Sequence, residues 1–288
     1  MANSINTNRG ALVALQTLNA TNKSLETTQN RVNTGMKVSS AKDNGAIFAI
    51  ATSQRAEMGA QDAVKQSLQR GQSIVDVALS AGETVVEALT ELKSLAVAIQ
   101  DAAAGSSSET KLIADFEAIV KEIHSSMAGA NFDGVNLYKE TAAGAPIQVS
   151  TNTSTGKFVL KAAAADALAE DTNLGFGGTA VGSTGAWTAA TAAADKRAAY
   201  TAATVDTAIN TFTSYVADLG TKSKSLERQL SFVSKLQDSL ETGIGNLVDA
   251  DLAKESARLT ALQTKQQLGV QALAIANSSS SILLGLFR

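Results

Sequence analysis

Three stretches hold residue types that could do chemistry. "GFGGTA" (175–180) fits Gly-x-Gly-x-x-Ala, the spacing that lets backbone amides cradle a dinucleotide pyrophosphate at a helix N-terminus. That cradle needs a buried strand before it and a helix after it. "AEDTNL" precedes and "VGSTG" follows, so the stretch reads as a flexible glycine-rich loop. His124 is the sole histidine and there is no cysteine, which removes thiolate sites and the usual zinc sets. Ser125 and Ser126 follow it directly and cannot share its helix face as a base–nucleophile pair. His124 therefore reads as a helix-surface side chain.

"DADLAKESAR" (249–258) is charge-rich, but Asp251 with Lys254 and Glu255 with Arg258 stand three apart, a spacing for ion pairs along one helix. Lys254 occupies a position where the surrounding periodicity expects an apolar residue. It is either a snorkelling lysine or a polar residue that sets register at an interface. "RVNTGMKVSSAKDNGAIFAIA" (31–51) places a glycine and a polar run between helix-like flanks, without the context of a phosphate cradle. Gly35 sits where an N-terminal seam ends, and the polar run can satisfy backbone groups at a helix break. The sequons at Asn19, Asn22, Asn152 and Asn277 read as chance, since three fall on helical pattern.

The elements around these stretches are long and helical. The chain has 288 residues, 44% apolar and only 4% aromatic, with a single proline, Pro146. That composition suits closely packed helices better than an aromatic-lined pocket. A formal charge of −3 and pI near 5.3 argue against a nucleic-acid binder, which needs a basic stripe. No run approaches the ~18 apolar residues of a membrane span. "MANSINTNRGALVALQTL" lacks the pattern of a cleaved secretory signal.

Leu15, Leu18, Asn22, Leu25, Gln29 and Val32 alternate by three and four, which predicts a lengthwise packing seam, with Asn22 and Gln29 fixing register. Leu219, Leu226, Val233, Leu240 and Leu247, then Ala261, Leu268, Ile275 and Ile282, recur at sevens. Unbroken, Lys222 to Ala276 would make a rod of about 80 to 90 Å. The two ends should pair with each other or with neighbouring molecules. Gln54 to Gln100 is amphipathic; a further helix follows from about Thr110 to Met127, with Ser108 as its N-cap and an Asp-Gly turn in "NFDGVNLY" after it. "PIQVSTNTSTGKFVLKA" predicts a β-hairpin, and 141 to about 190 a surface insertion of low stability.

Residues 31–51 are similar to the hallmark of bacterial flagellin, R-L-x-S-G-x-R-I-N-S-A-x-D-D-A-A-G-x-A-I-A. Arg31, Val32, Gly35, Lys37, Val38, Ser40, Ala41, Asp43, Ala46, Ala49, Ile50 and Ala51 match it identically or conservatively. Asn44, Gly45 and Ile47 depart from its Asp, Ala and Gly. "NFDGVNLY" resembles the family's N-F-N-G-x-x-L-L segment, and residues 247–288 resemble its C-terminal helix and arginine-ended tail. The likeness covers about 1–140 and 200–288.

The resemblance implies a mainly α fold, with long coiled-coil-like N- and C-terminal helices packed together and a β-hairpin and small variable insertion in the middle. It divides the chain into an N-terminal inner-core helix (1–35), an outer-core helical rod with a β-hairpin start (36–140), a variable surface insertion (141–190), an outer-core C-terminal helix (191–245) and a C-terminal inner-core helix (246–288). It implies a self-assembling filament subunit with no catalytic residue, cofactor or metal, exported through the flagellar type III apparatus with a chaperone. Filament-cap and hook–filament junction proteins would be its partners, and a junction protein is the alternative reading. The metalloprotease insertion of some members needs His-Glu-x-x-His, which one histidine rules out; a soluble helical binding module is a third reading. Expected subunit contacts are Leu15, Leu18, Asn22, Leu25, Val32, Gly35, Lys37, Asp43, Asn44, Lys254, Leu268, Ile275 and Ile282. Candidate O-glycosylation sites are Ser106, Ser107, Ser108, Thr151, Thr153, Ser154 and Thr155. Glu91 stands where members recognised by the vertebrate Toll-like receptor for flagellin carry arginine, a charge reversal that weighs against such recognition.

Overall fold

The apolar alternation of the sequence resolves, in a computed structural model of the protein, into six helices and two small hairpins among the described residues, which are 8–138, 146–161, 174–176, 178–181, 186–189 and 193–286. In order they are α1 (Arg9–Thr34), α2 (Gly45–Asp101), α3 (Ser107–Gly129), β1 (Ile147–Ser150), β2 (Lys157–Lys161), β3 (Gly178–Val181), β4 (Ala186–Ala189), α4 (Ala193–Ala199), α5 (Ala202–Val248) and α6 (Leu252–Leu286). The chain forms two compact units, one of residues 1–58 with 238–288 and one of 59–237. The expected fold class, mainly α with long terminal helices packed together and a β-hairpin in the middle of the sequence, is what the structure has.

In the unit of residues 59–237, α2 buries Gln61, Val64, Leu68, Gly71, Val75, Ala78, Gly82, Val85, Leu89, Leu92, Ala96 and Ile99, alternating by three and four throughout. A sustained 3.5-residue repeat is a coiled-coil seam. Its antiparallel partner is α5: Lys93 pairs with Asp206 at 2.6 Å, Ser223 Oγ donates to Asp76 at 3.3 Å and Gln237 Nε2 to Asp62 at 2.7 Å. From α5, Val205, Phe212, Leu219, Leu226 and Val233 enter the same core, and α3 adds Ile113, Phe116, Val120, Ile123 and Met127.

Two glycines let other elements onto α2. A Cβ on Gly71 would lie 2.6 Å from Val149 of β1. One on Gly82 would lie 2.7 Å from the Tyr138 hydroxyl, which donates to Ala78 O. Strands β1 and β2 pair antiparallel as the sequence predicts. After α3, Asp133 and Gly134 both take positive φ (51° and 76°) between bridged Phe132 and Val135, a tight reversal open to Asp-Gly. Buried Asn136 then donates to the last carbonyls of α3, Met127 O and Ala128 O.

Several expectations are corrected. His124 is buried, because the α3 face that carries it also carries core residues. The N-cap of α3 is Ser106, whose Oγ accepts from Glu109 N at 3.1 Å; Ser108 already lies inside the helix. Gly178, Thr179 and Ala180 of "GFGGTA" lie in β3, which pairs with β4, so that half of the stretch is strand and not the expected loop. The middle of the sequence also feeds the core: Leu174 and Phe176 are buried, with Phe176 edge-on to Phe116 at 5.5 Å and Tyr200 stacked on Phe116 at 4.4 Å. Residues 36–44 hold no hairpin, only the single bridge Met36–Asp249. Residues 139–145 and 162–173, in and beside the expected insertion, lie outside the described residues.

Candidate assembly surface

In the unit of residues 1–58 with 238–288, α1 and α6 pack antiparallel. Asn8 caps α1 by accepting from Ala11 N, and its Nδ2 donates to Ala276 O at 2.7 Å. Gln266 Nε2 donates to Asn22 Oδ1 at 2.8 Å, and Arg31 meets Glu255 at 3.1 Å. These polar contacts pin the register at both ends and the middle. Arg31 lies in the last turn of α1 and Glu255 in the first turn of α6, so each charge also complements its own helix dipole. The ion pair is single-pronged, with Arg31 Nε and Glu255 Oε2 both shielded and without a hydrogen bond among the described residues.

The helices face each other through small and polar residues as much as through large ones. On α1 the less exposed positions are Ala11, Ala14, Leu18, Thr21, Leu25, Thr28 and Val32; on α6 they are Glu255, Leu259, Leu262, Gln266, Gly269, Leu273 and Ala276. A Cβ on Gly269 would approach Leu18 Cδ1 to 3.2 Å, so the glycine admits that leucine. Of the expected contact residues, Leu18, Leu25 and Val32 thus point into the α1–α6 seam. Leu15, Asn22 and Lys254 are exposed, and Ile282 lies beyond the described side chains. The heptad carried across Lys254 also points outward: Leu268 is 58% exposed and Ile275 70%. The buried register moves by one residue before the helix break at Asp249–Asp251: Val248 is buried, and the less exposed positions then run at sevens through Glu255, Leu262, Gly269 and Ala276, with Asp251 Oδ1 accepting from Lys254 N where α6 opens. Glu255 therefore pairs across the helices and not with Arg258.

The outward faces hold Leu12, Val13 and Leu15 on α1, and Leu252, Leu268, Val270 and Ile275 on α6. Covering half-exposed side chains of this size is worth roughly 1 kcal/mol each at ~25 cal/mol per Å². Exposed apolar side chains gathered on two paired helices are the observation that bears on assembly.

The joint between α1 and α2 is held by intramolecular bonds. Gly35 caps α1 at φ 70°, a left-handed conformation that favours glycine. Lys37 N donates to Val248 O at 2.7 Å and Ala250 N to Gly35 O at 2.8 Å, while Lys37 Nζ reaches Asn246 O at 2.9 Å. Asp43 Oδ2 accepts from the backbone and hydroxyl groups of both Ser39 and Ser40 at 3.0–3.1 Å. These donors, the Ser40 amide foremost, hold its carboxyl below the usual carboxylate range. Asn44 Oδ1 accepts from Ile47 N at 3.2 Å, opening α2. Lys37, Asp43 and Asn44 each have an intramolecular partner, a role that periodicity could not disclose. Beneath the joint, Ala51, Ile244 and Val248 form a small apolar cluster.

Among the glycosylation candidates, Ser107, Ser108, Thr153, Ser154 and Thr155 are exposed, whereas Ser106 is occupied as a cap. Glu91 is exposed on α2. Among the described residues no three His, Asp or Glu side chains come together as metal ligands, and no helix is long and apolar enough to cross a membrane.

Comparison with known proteins agrees with this arrangement. Residues 5–143 match the bacterial flagellin N-terminal helical region and residues 202–287 the bacterial flagellin C-terminal helical region. The sequence is 48% identical to flagellin FljM and 49% identical to flagellin FljN of Caulobacter vibrioides, over 286 and 290 residues and 99% of both partners in each pairing. It is 42% identical to a flagellin of Brucella melitensis over 296 residues, again 99% of both. With both terminal regions matched and near-complete coverage of named relatives, the chain belongs to the bacterial flagellin family.

Proposed function

We propose that this flagellin builds the flagellar filament by docking the outward faces of α1 and α6 onto other copies of itself. The observation that carries the reading is the division of labour on these two helices. The intramolecular seam closes through Leu18, Leu25 and Leu273 together with small and polar residues, and further large apolar side chains, Leu268 and Ile275 among them, are left in water. Likeness over the full length to proteins named flagellin favours a filament subunit over a hook–filament junction protein. Leu15, Asn22 and Lys254 border the outward faces and complete the docking surface; Leu18, Leu25 and Val32 support it from behind. Gly35, Lys37, Asp43 and Asn44 contribute by shaping the joint.

The same reading places the assembled protein outside the cell, delivered by the flagellar export apparatus with a chaperone and ordered by cap and junction proteins. Exposed Ser107, Ser108 and residues 153–155 are the positions open to O-glycosylation. Purified protein seeded with short filament fragments and followed by electron microscopy tests the central claim. Long filaments are expected; a monomer that persists at high concentration with protected terminal helices would overturn it.

A further inference from the structure

We infer that Asn44 is a site of spontaneous deamidation, a self-modification of the joint between α1 and α2 that needs only water. Asn44–Gly45 is the sole Asn-Gly pair in the sequence. Both residues are exposed, and nothing lies within 4 Å of where a Gly45 Cβ would stand. Gly45 opens α2, so its N–H belongs to the group that a helix leaves without an internal acceptor, and it makes no hydrogen bond within the described protein. That nitrogen is the nucleophile of the reaction. The electrophile is Cγ of Asn44, and its oxygen already accepts from Ile47 N at 3.2 Å. A fixed donor on the oxygen that becomes negative in the tetrahedral intermediate lowers the barrier, as in an oxyanion hole.

The step balances without a co-reactant other than water. The Gly45 nitrogen loses its proton to hydroxide and attacks Cγ of Asn44. The new bond closes a cyclic succinimide, the bond from Cγ to the Asn44 amide nitrogen Nδ2 breaks, and that nitrogen leaves as ammonia. Water then opens either carbonyl, giving aspartate, or isoaspartate whose backbone runs through the former Cβ and Cγ.

The two products differ in consequence. Aspartate keeps a cap acceptor for Ile47 N and adds negative charge at the positive end of a 57-residue helix. Isoaspartate inserts a methylene into the backbone between Asp43, which gathers the Ser39 and Ser40 donors, and the first turn of α2. The tight Asp133–Gly134 pair offers no such route of comparable ease. Its electrophile is a carboxylate, held by Arg70 at 2.7 Å, with no amide to expel.

The test uses the full-length protein, held folded at neutral and at mildly alkaline pH and cleaved with trypsin. The fragment Asp43–Arg55 contains Asn44 as its only asparagine. Mass spectrometry reads the amide-to-acid conversion, and isoaspartyl methyltransferase labelling separates the products. Asn44 should convert ahead of every other asparagine, faster as pH rises, at a rate comparable to that of a synthetic peptide spanning the joint. Gly45→Ala, which fits the open space, should slow it about tenfold, the effect of about 1.4 kcal/mol on the barrier. Persistence of the amide in the folded protein while the peptide converts would overturn the inference, as would an unchanged rate in Gly45→Ala.

Discussion

The hydroxyl of Tyr138 lies over the backbone of α2 where Gly82 leaves room for it, and donates to Ala78 O one turn earlier. A methyl group on Gly82 would meet that oxygen at 2.7 Å and Val216 Cγ2 at 2.8 Å, both inside van der Waals contact. Gly82→Ala should therefore destabilise the unit of residues 59–237 by about 1–3 kcal/mol, the usual cost of overpacking. Gly59→Ala meets nothing within 4 Å and should instead stabilise by up to ~1 kcal/mol through helix propensity. Urea unfolding of the two variants side by side checks the sign of each; a neutral Gly82→Ala would show that the tyrosine has other room.

Arg31 and Glu255 should hold the α1–α6 register. Their side chains are 30% and 11% exposed, so water discounts the pair only in part. Glu255→Gln keeps the shape, removes the charge and should loosen the α1–α6 pair by about 1–3 kcal/mol. Hydrogen exchange would show this as faster exchange in both helices, with α3 unchanged. A double-mutant cycle with Arg31→Gln should return a coupling of about 1 kcal/mol or more; additivity would mean that the pair is ornamental.

Leu268→Lys separates assembly from folding. The side chain is already in water, so the monomer should unfold within ~0.5 kcal/mol of the parent. A charge in the centre of the docking face should abolish seeded filament growth in electron micrographs. Parental filament length from this variant would remove α6 from the interface.

Acid should weaken both units by separate routes. The Arg197 guanidinium, then the Gly105 N–H, hold the Glu109 carboxyl below its ordinary value, and the serine donors do the same for Asp43. A carboxyl depressed by folding stabilises above its unfolded value and loses that contribution as pH falls through the lower native one. Melting temperature should thus hold near neutrality and fall below about pH 4. Asp43→Asn should flatten the acid response in exchange at residues 36–48 and leave α3 untouched, while Glu109→Gln should do the reverse.

How far the sequence disclosed this molecule depended on the kind of residue at each seam. Leu219, Leu226 and Val233 recur at sevens on an unbroken helix, and all three are buried as that spacing predicts. The same spacing counted on through Ala261, Leu268 and Ile275 runs one residue behind the buried register, which passes through Val248, Glu255, Leu262 and Gly269, so Leu268 and Ile275 point away from α1. On α1 the residues that close the seam include Ala11, Ala14, Thr21 and Thr28, which no hydrophobic pattern flags. The Arg31–Glu255 pair was invisible because Glu255 has a nearer cation in sequence, Arg258. His124 is buried although a polar residue on a helix reads as surface until its neighbours are known. The Asp-Gly turn and the hairpin at 147–161 were legible because local backbone chemistry alone decides them.

The contact between Asn8 and Ala276 spans 268 residues, so α1 meets α6 only across a long loop. Closing so long a loop from an unfolded polypeptide takes about 5 kcal/mol by the logarithmic rule. The bond between Gln237 and Asp62 changes that arithmetic, since completing the unit of residues 59–237 brings those two positions to 2.7 Å and leaves only the short tails to search. Contact order therefore favours closure of the unit of residues 59–237 before α1 meets α6, so that refolding should protect α3 amides ahead of those of α1 in pulse-labelled hydrogen exchange.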